Sequence, residues 1–236
     1  MNVVRQLTAS TVALLALGSA EVLASGGGSM SGPSRGSMDA PQSRSPGQLA
    51  IGNYNSGVRE LGKAKDHEAD AAKAATDEKK ARALEKARKA YGNALDQFER
   101  AADENPAMYQ AWNCVGFCQR HLGDYEAALT AYSHALEVNP AYAEAVEYRA
   151  EAFLGLNRIE DAKSDYMRLF RDVRPLADEL MAAMHRWVED HQHDSKGVSS
   201  EDLTLFAKWV DERTAVAQQT ASLTTGASIK PLGDWK

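Results

Sequence analysis

Towards the C-terminus, apolar residues recur three or four positions apart, which is the spacing of one helix face. The first stripe consists of Leu176, Leu180, Met184, Trp187 and Val188, and the second of Leu203, Phe206, Trp209 and Val210. Pro175 suits the first turn of the first helix. The segment 196–198 breaks the pattern, and Ser199 with Asp202 three positions later is typical of a helix start. The pattern therefore predicts two amphipathic helices beyond residue 175.

The pattern near the front of the chain is different, because large apolar residues are sparse there. Segments 53–75 and 79–104 are rich in Ala, Lys, Arg, Glu and Asp, which favours two long helices. Leu84 is almost alone between Leu61 and Tyr91. We therefore predict that the inner parts of these helices protrude as a solvated helical hairpin.

A period of 34 residues separates Pro106 from Pro140. Small residues between them suit the close approach of two antiparallel helices, and aromatic residues fill the space between successive turns. Segment 122–124 predicts a helix stop followed by a turn, and Pro140 ends the second helix. The repeating positions are Trp112, Val115, Gly116, Ala128, Tyr132, Ala135 and Pro140.

This pattern resembles the tetratricopeptide repeat family, with Gln119 departing where the family has tyrosine. The resemblance covers roughly residues 53–175 and is most specific for the middle repeat. The following period keeps Ala162 and Tyr166, with Asn157 in place of the turn glycine. The preceding period keeps the second helix of a repeat as Tyr91, Ala94, Phe98, Ala101 and Pro106, and segment 54–57 is the nearest candidate for its first helix.

The resemblance implies an all-α fold, an antiparallel helix-pair solenoid of about three repeats. We expect the first repeat to carry the extended hairpin, and residues 176–219 to form C-terminal capping helices. The family implies a groove lined by the first helix of each pair, which binds peptide segments of partner proteins. The expected groove residues are Gln110, Asn113, Phe117 and Arg120 in the middle repeat, Glu144, Glu147 and Glu151 in the third, and Tyr54, Val58 and Leu61 in the first.

The charges of these residues indicate a class of partner. A column of glutamates beside an aromatic residue and amides suits a basic or amphipathic peptide. The alternative interpretation is that the glutamates form an ordinary solvated helix face. Some members of the family bind a C-terminal carboxylate with Lys, Arg and Asn; here Asn113 is the only clear matching amide, and it faces carboxylates, so we reject that mode.

The N-terminus predicts export. Arg5 precedes an uncharged stretch with an apolar core, and segment 22–24 supplies the small residues read by a signal peptidase. We expect a signal peptide over residues 1–24, with cleavage after Ala20 as the second choice, and a periplasmic or secreted protein. The apolar run is shorter than the roughly 20 residues that are needed to span a bilayer.

The composition of two further segments predicts that they do not fold. The Gly-, Ser- and Pro-rich segment 25–52 predicts a flexible linker, and segment 220–236 predicts a disordered tail.

Charge argues against nucleic acid as a partner, because the net charge is −6 and no basic stripe is evident. The segment 63–89 is nevertheless locally basic, with nine basic and six acidic residues. One alternative interpretation therefore makes the hairpin a device that associates with an anionic membrane surface.

Cys114, Cys118 and His121 lie at helical spacing and could offer three ligands to a soft metal. A closed metal site normally has four ligands, and no fourth ligand is evident here. Two small cysteines buried in a repeat helix are the simpler interpretation, so we expect no metal and no cofactor. Metal handling is kept as an alternative function. No phosphate-binding loop, nucleophile elbow or zinc-protease motif occurs. The sequence thus predicts a non-enzymatic adaptor that binds a protein or peptide, with self-association left open.

Overall fold

The computed structural model describes residues 45–226, with side chains described through residue 220. These residues form eight α-helices and no β-strand, which confirms the predicted all-α fold. The predicted signal peptide (1–24), residues 25–44 of the predicted linker and residues 227–236 of the predicted tail lie outside the described residues. The helices are α1 (Pro46–Ala72), α2 (Asp77–Glu104), α3 (Tyr109–Leu122), α4 (Tyr125–Val138), α5 (Ala143–Gly155), α6 (Ile159–Asp172), α7 (Arg174–His193) and α8 (Ser200–Gly226).

The helices pack in pairs that stack along the chain. Short connections make α1 with α2, α3 with α4, and α5 with α6 antiparallel hairpins. Each pair packs on the next, and the first helices α3, α5 and α7 also contact one another in sequence. This arrangement is the predicted helix-pair solenoid, with a first pair about twice as long as the others.

Two glycines set the distance between the helices of a pair. A Cβ added at Gly116 of α3 would lie 2.7 Å from Cε1 of Tyr132 on α4. A Cβ added at Gly57 of α1 would lie 2.7 Å from Cε1 of Phe98 on α2. The same close approach in both pairs shows that α1 and α2 are built on the plan of the middle repeat, in the register predicted from segment 54–57.

Gly116→Ala should lower the free energy of unfolding by about 1–3 kcal/mol, because the added methyl group overpacks Tyr132. The matched control is Gly92→Ala in α2, where the new Cβ would have no atom within 4 Å apart from its chain neighbours and the backbone of its own helix. The control should raise stability by up to about 1 kcal/mol through helix propensity. Urea denaturation of the two variants measures the difference in unfolding free energy. An equal gain in stability at both positions would contradict the close approach of Gly116 to Tyr132.

The C-terminal helices cover the last repeat, as predicted. Trp187 of α7 is buried and donates a hydrogen bond of 2.7 Å from Nε1 to the backbone oxygen of Leu154, near the end of α5. The ring of Phe206 on α8 packs edge-on against Trp187 at 5.3 Å, and Val210 is buried in the same cluster. Helices α7 and α8 therefore extend the apolar core beyond α6 and close it from solvent.

The turns that end the first helices follow the sequence prediction. Gly123, the C-cap of α3, has a φ of +89°, which is the left-handed region that glycine enters without strain. Asn157 occupies the corresponding turn after α5 with a φ of +59°, and asparagine is among the residues that tolerate this region best. Asn157 thus replaces the turn glycine in the structure as it does in the sequence.

The structure differs from the sequence prediction at both ends of the helical region. Helix α1 begins at Pro46, inside the predicted linker, because Ser45 and Gln48 form a reciprocal capping box and proline suits the first turn. Ala50, which was expected in the linker, is fully buried. At the other end, α8 continues to Gly226, past the predicted start of the tail.

Candidate functional site

The predicted groove residues lie on the first helices of successive pairs. We call the surface lined by α1, α3 and α5 the groove face. On α3 it carries Gln110, Asn113, Phe117 and Arg120, and on α5 Glu144, Glu147 and Glu151. The structure divides this face into two halves with different properties. The half towards the C-terminal ends of the helices is filled by the protein's own side chains, and the half towards their N-terminal ends is partly open.

Phe117 belongs to the filled half and is only 5% exposed. Its ring packs against Tyr148 at 5.3 Å and against Tyr91 at 6.3 Å, and the ammonium group of Lys65 lies 5.6 Å above it. Tyr91 and Lys65 come from the first pair, whose helices extend past the length of an ordinary repeat. Phe117 was expected to be available to a partner, but the long hairpin covers it.

Arg120 and Glu151 form an ion pair across α3 and α5. Nη1 of Arg120 lies 2.5 Å from Oε2 of Glu151, and the two side chains are 6% and 9% exposed. The guanidinium group also lies 5.4 Å from the centre of the Phe117 ring and 5.6 Å from that of Tyr148. Because the charges neutralise each other inside an aromatic enclosure, neither is free to bind a partner.

His121 ties the extended part of α1 to α3. Its Nδ1 lies 3.3 Å from Oε1 of Glu68, and its ring stacks on Tyr91 at 4.5 Å. Burial lowers the pKa of His121, although Glu68 opposes that shift. The contact helps to hold the hairpin over the filled half of the groove face.

Glu147 is the most buried of the predicted groove residues, with 1% of its surface exposed. Its Oε1 has no hydrogen-bond partner among the described residues. Burial is the main cause that raises the pKa of Glu147 to about 8, and the charges of Glu151 and Glu179 contribute to the same shift. The predicted column of three solvated carboxylates is therefore altered: Glu151 is paired, Glu147 is buried, and Glu144 alone is partly exposed.

The open half, which we call the outer groove, lies near the N-terminal turns of α3 and α5. By helix position and repeat register it comprises Ile51, Tyr54, Tyr109, Gln110, Tyr142 and Glu144, with the buried Asn113 beneath Tyr142. All except Asn113 are at least partly exposed, and Ile51 is 54% exposed. The rings of Tyr109 and Tyr142 meet edge-on at 4.8 Å, so aromatic side chains form much of the outer groove.

Asn113 is 6% exposed and is held beneath Tyr142, to whose hydroxyl its Nδ2 donates a long hydrogen bond of 3.5 Å. Its Oδ1 is buried and has no partner in the part of the chain that the structure describes. An unpaired buried carbonyl oxygen is costly, by about 1–3 kcal/mol, and in a native fold it calls for an explanation.

Tyr109 and Tyr142 were not identified from the sequence. The sequence contained a signal for both. Tyr109 is the first residue of α3, three residues after Pro106, and Tyr142 directly precedes α5, two residues after Pro140. The two tyrosines are 33 residues apart, one short of the 34-residue period, so they occupy neighbouring and not equivalent positions of their repeats.

The structure does not bring Cys114, Cys118 and His121 together as metal ligands. Sγ of Cys114 donates a hydrogen bond of 4.0 Å to the hydroxyl of Tyr54, Cys118 is fully buried in the core, and His121 faces Glu68. Within residues 45–220 no group of three His, Cys, Asp or Glu side chains is arranged to hold a metal ion.

The hairpin presents exposed basic residues on α2. Lys79, Arg82, Lys86 and Lys89 recur at helical spacing, and Arg82 is paired with Glu78 at 2.6 Å. Among the described helices, none combines the length and apolar character that crossing a membrane requires. The hairpin is therefore a second candidate for a binding surface, besides the outer groove, and it is a charged one.

Comparison with known proteins matches the tetratricopeptide repeat family over residues 109–142, which span α3, α4 and the start of the next repeat. No curated protein matches the chain. The match supports the interpretation of the chain as a tetratricopeptide repeat protein and indicates a role in protein–protein interaction. Such repeats are generally scaffolds and not enzymes.

Proposed function

We propose that this protein is an exported, non-enzymatic adaptor whose outer groove binds an extended segment of a partner protein. The observation that carries the proposal is the buried, unpaired Oδ1 of Asn113 beneath a row of partly exposed side chains. Once the Tyr142 side chain above it moves aside, a backbone N–H of a bound segment would satisfy this oxygen, which supplies affinity without requiring a particular side chain.

The row above Asn113 supports a segment lying across the helices. Ile51 on α1, Gln110 on α3 and Glu144 on α5 occupy equivalent positions in three successive pairs. A segment that crosses them would meet an apolar side chain, an amide and a carboxylate in order. Such a sequence of contacts fixes both the direction and the register of the partner.

Export rests on the N-terminal sequence. A basic residue, an apolar core and small residues at the expected cleavage site are the three parts of a signal peptide. We place the adaptor in the periplasm or outside the cell. Fractionation of cells that produce the full chain checks this: the processed protein should appear in the periplasmic or extracellular fraction, and unprocessed protein in the cytosol would contradict it.

Photo-cross-linking tests the proposed site. A benzophenone amino acid is placed at Gln110 or Glu144 in the outer groove, and at the exposed Thr130 of α4 as a control on a second helix. We expect both groove positions to form an adduct with one partner protein, mapped by mass spectrometry to one contiguous segment. The adduct should disappear when that segment is added as a competing peptide.

Two results would contradict the proposal. Equal cross-linking from Thr130 would show that capture does not depend on the groove. Adducts from a probe at Lys86 of α2, with none from Gln110 or Glu144, would place the working surface on the basic hairpin.

A further inference from the structure

We propose that the bound segment presents a lysine or arginine side chain to an acidic end of the outer groove, formed by Glu144 and Glu147 of α5 and Glu179 of α7. This inference rests on the function proposed above and specifies the chemistry of the partner. Glu144 is partly exposed, Glu179 is exposed, and Glu147 lies buried beside them.

The charges around Glu147 do not balance within the described residues. The charges that act most strongly on Glu147 are Arg120 of α3, Glu144 and Glu151 of α5 itself, and Glu179 of α7, which packs against α5. Arg120 is committed to Glu151 and enclosed by aromatic rings. A cation placed at this end would be attracted by the ionised Glu144 and Glu179, and it would favour ionisation of the buried Glu147 between them and Arg120.

Aromatic rings beside the carboxylates suit a long cationic side chain. Tyr142 is the N-cap of α5 and therefore adjoins Glu144, and its ring meets that of Tyr109. Burial is the main cause that raises the pKa of Tyr142, and the charge of Glu144 contributes to the same shift. The methylene stem of a lysine or arginine can pack on these rings while its charged end reaches the carboxylates.

A bound cation should also change the protonation of Glu147. In the free protein its pKa is raised to about 8, so the side chain carries a proton at neutral pH. A cation nearby favours the carboxylate, and binding then releases a proton. Affinity should rise with pH up to about 8, by at most about tenfold per pH unit for one linked proton, and level off above that value.

Selection from a phage-displayed library of random linear peptides, with the purified full chain as bait, tests the side-chain preference. Groove-dependent binders are those lost on Gln110→Ala. We expect them to share a lysine or arginine at one position, and to lose this preference when the bait carries Glu144→Gln and Glu179→Gln. Glu126→Gln on α4, an exposed glutamate of a second helix, is the matched control and should leave the preference unchanged.

The outcomes separate this inference from the proposed function. Binders that depend on Gln110 but share no basic residue would overturn the inference and leave the adaptor proposal standing. A library that yields no groove-dependent binder would count against both.

The pH dependence supplies a second readout. The affinity of the strongest binder, measured by fluorescence anisotropy, should rise severalfold from about pH 6 to about pH 8 with the wild-type chain and stay flat with Glu147→Gln. An equal rise with Glu147→Gln would show that Glu147 is not the linked group and would overturn its place in the acidic end.

Discussion

Replacing Arg120 by methionine should destabilise the protein by about 3–5 kcal/mol, because it leaves a buried carboxylate without its partner. The Glu151 side chain is only 9% exposed and would lose its cation, with Glu147 as a further acidic neighbour. Methionine keeps most of the arginine's apolar volume, so the loss reports mainly the missing charge. Urea denaturation at neutral pH, compared with the wild-type chain, measures the difference.

A double variant separates the charge from the packing. Arg120→Met combined with Glu151→Leu should recover most of the lost stability, since a buried pair replaced by apolar residues of similar size is often close to neutral. A loss of less than about 1 kcal/mol of unfolding free energy in the single variant would be typical of a solvent-exposed ion pair. It would contradict the burial of the Arg120–Glu151 pair in the filled half of the groove face.

Replacing Glu147 by glutamine should stabilise the protein, with an effect that grows with pH. The pKa of Glu147 is about 8 in the fold, against an ordinary value of 4.5. Between these values the folded protein holds a proton that the unfolded chain has lost, so stability falls as pH rises. Glutamine removes this fall, and the gain in the free energy of unfolding should be near zero below about pH 4.5 and on the order of 5 kcal/mol above pH 8.

Thermal unfolding followed across this pH range, for wild type and variant side by side, gives the measurement. The difference between the two curves isolates Glu147 from the other titratable groups, which both proteins share. Glu144→Gln is the matched control and should change stability little, because its side chain is partly exposed. A gain in stability of Glu147→Gln that does not change with pH would contradict the raised pKa that burial gives the Glu147 carboxyl group.

The helix pairs could be predicted from the sequence because their determinants are local and repeat. Gly116 and Tyr132 recur as Gly57 and Phe98, and the turn glycine recurs as Asn157. The start of α1 was predicted too late, although the sequence contains its signal: Ser45 followed by Pro46 and Gln48 is a capping box with proline in the first turn.

Which of the groove residues are exposed, buried or paired could not be predicted in the same way, because it depends on contacts between segments that are distant in the sequence. Register places Phe117 on the groove face, but its burial depends on Lys65 and Tyr91 of a hairpin that is longer than a standard repeat. Glu147 looked like one member of a solvated column. Its burial becomes apparent only when α7 is seen to pack against α5.

Hydrogen–deuterium exchange tests the central claim, that the outer groove binds the partner, most directly. The full chain is compared with and without the segment that cross-linking identifies. A segment that covers the first turns of α3 and α5 should slow exchange of the backbone N–H groups around residues 109–113 and 142–147 and leave residues 77–89 of the hairpin unchanged. Protection confined to the hairpin, or no protection in either region, would contradict the account.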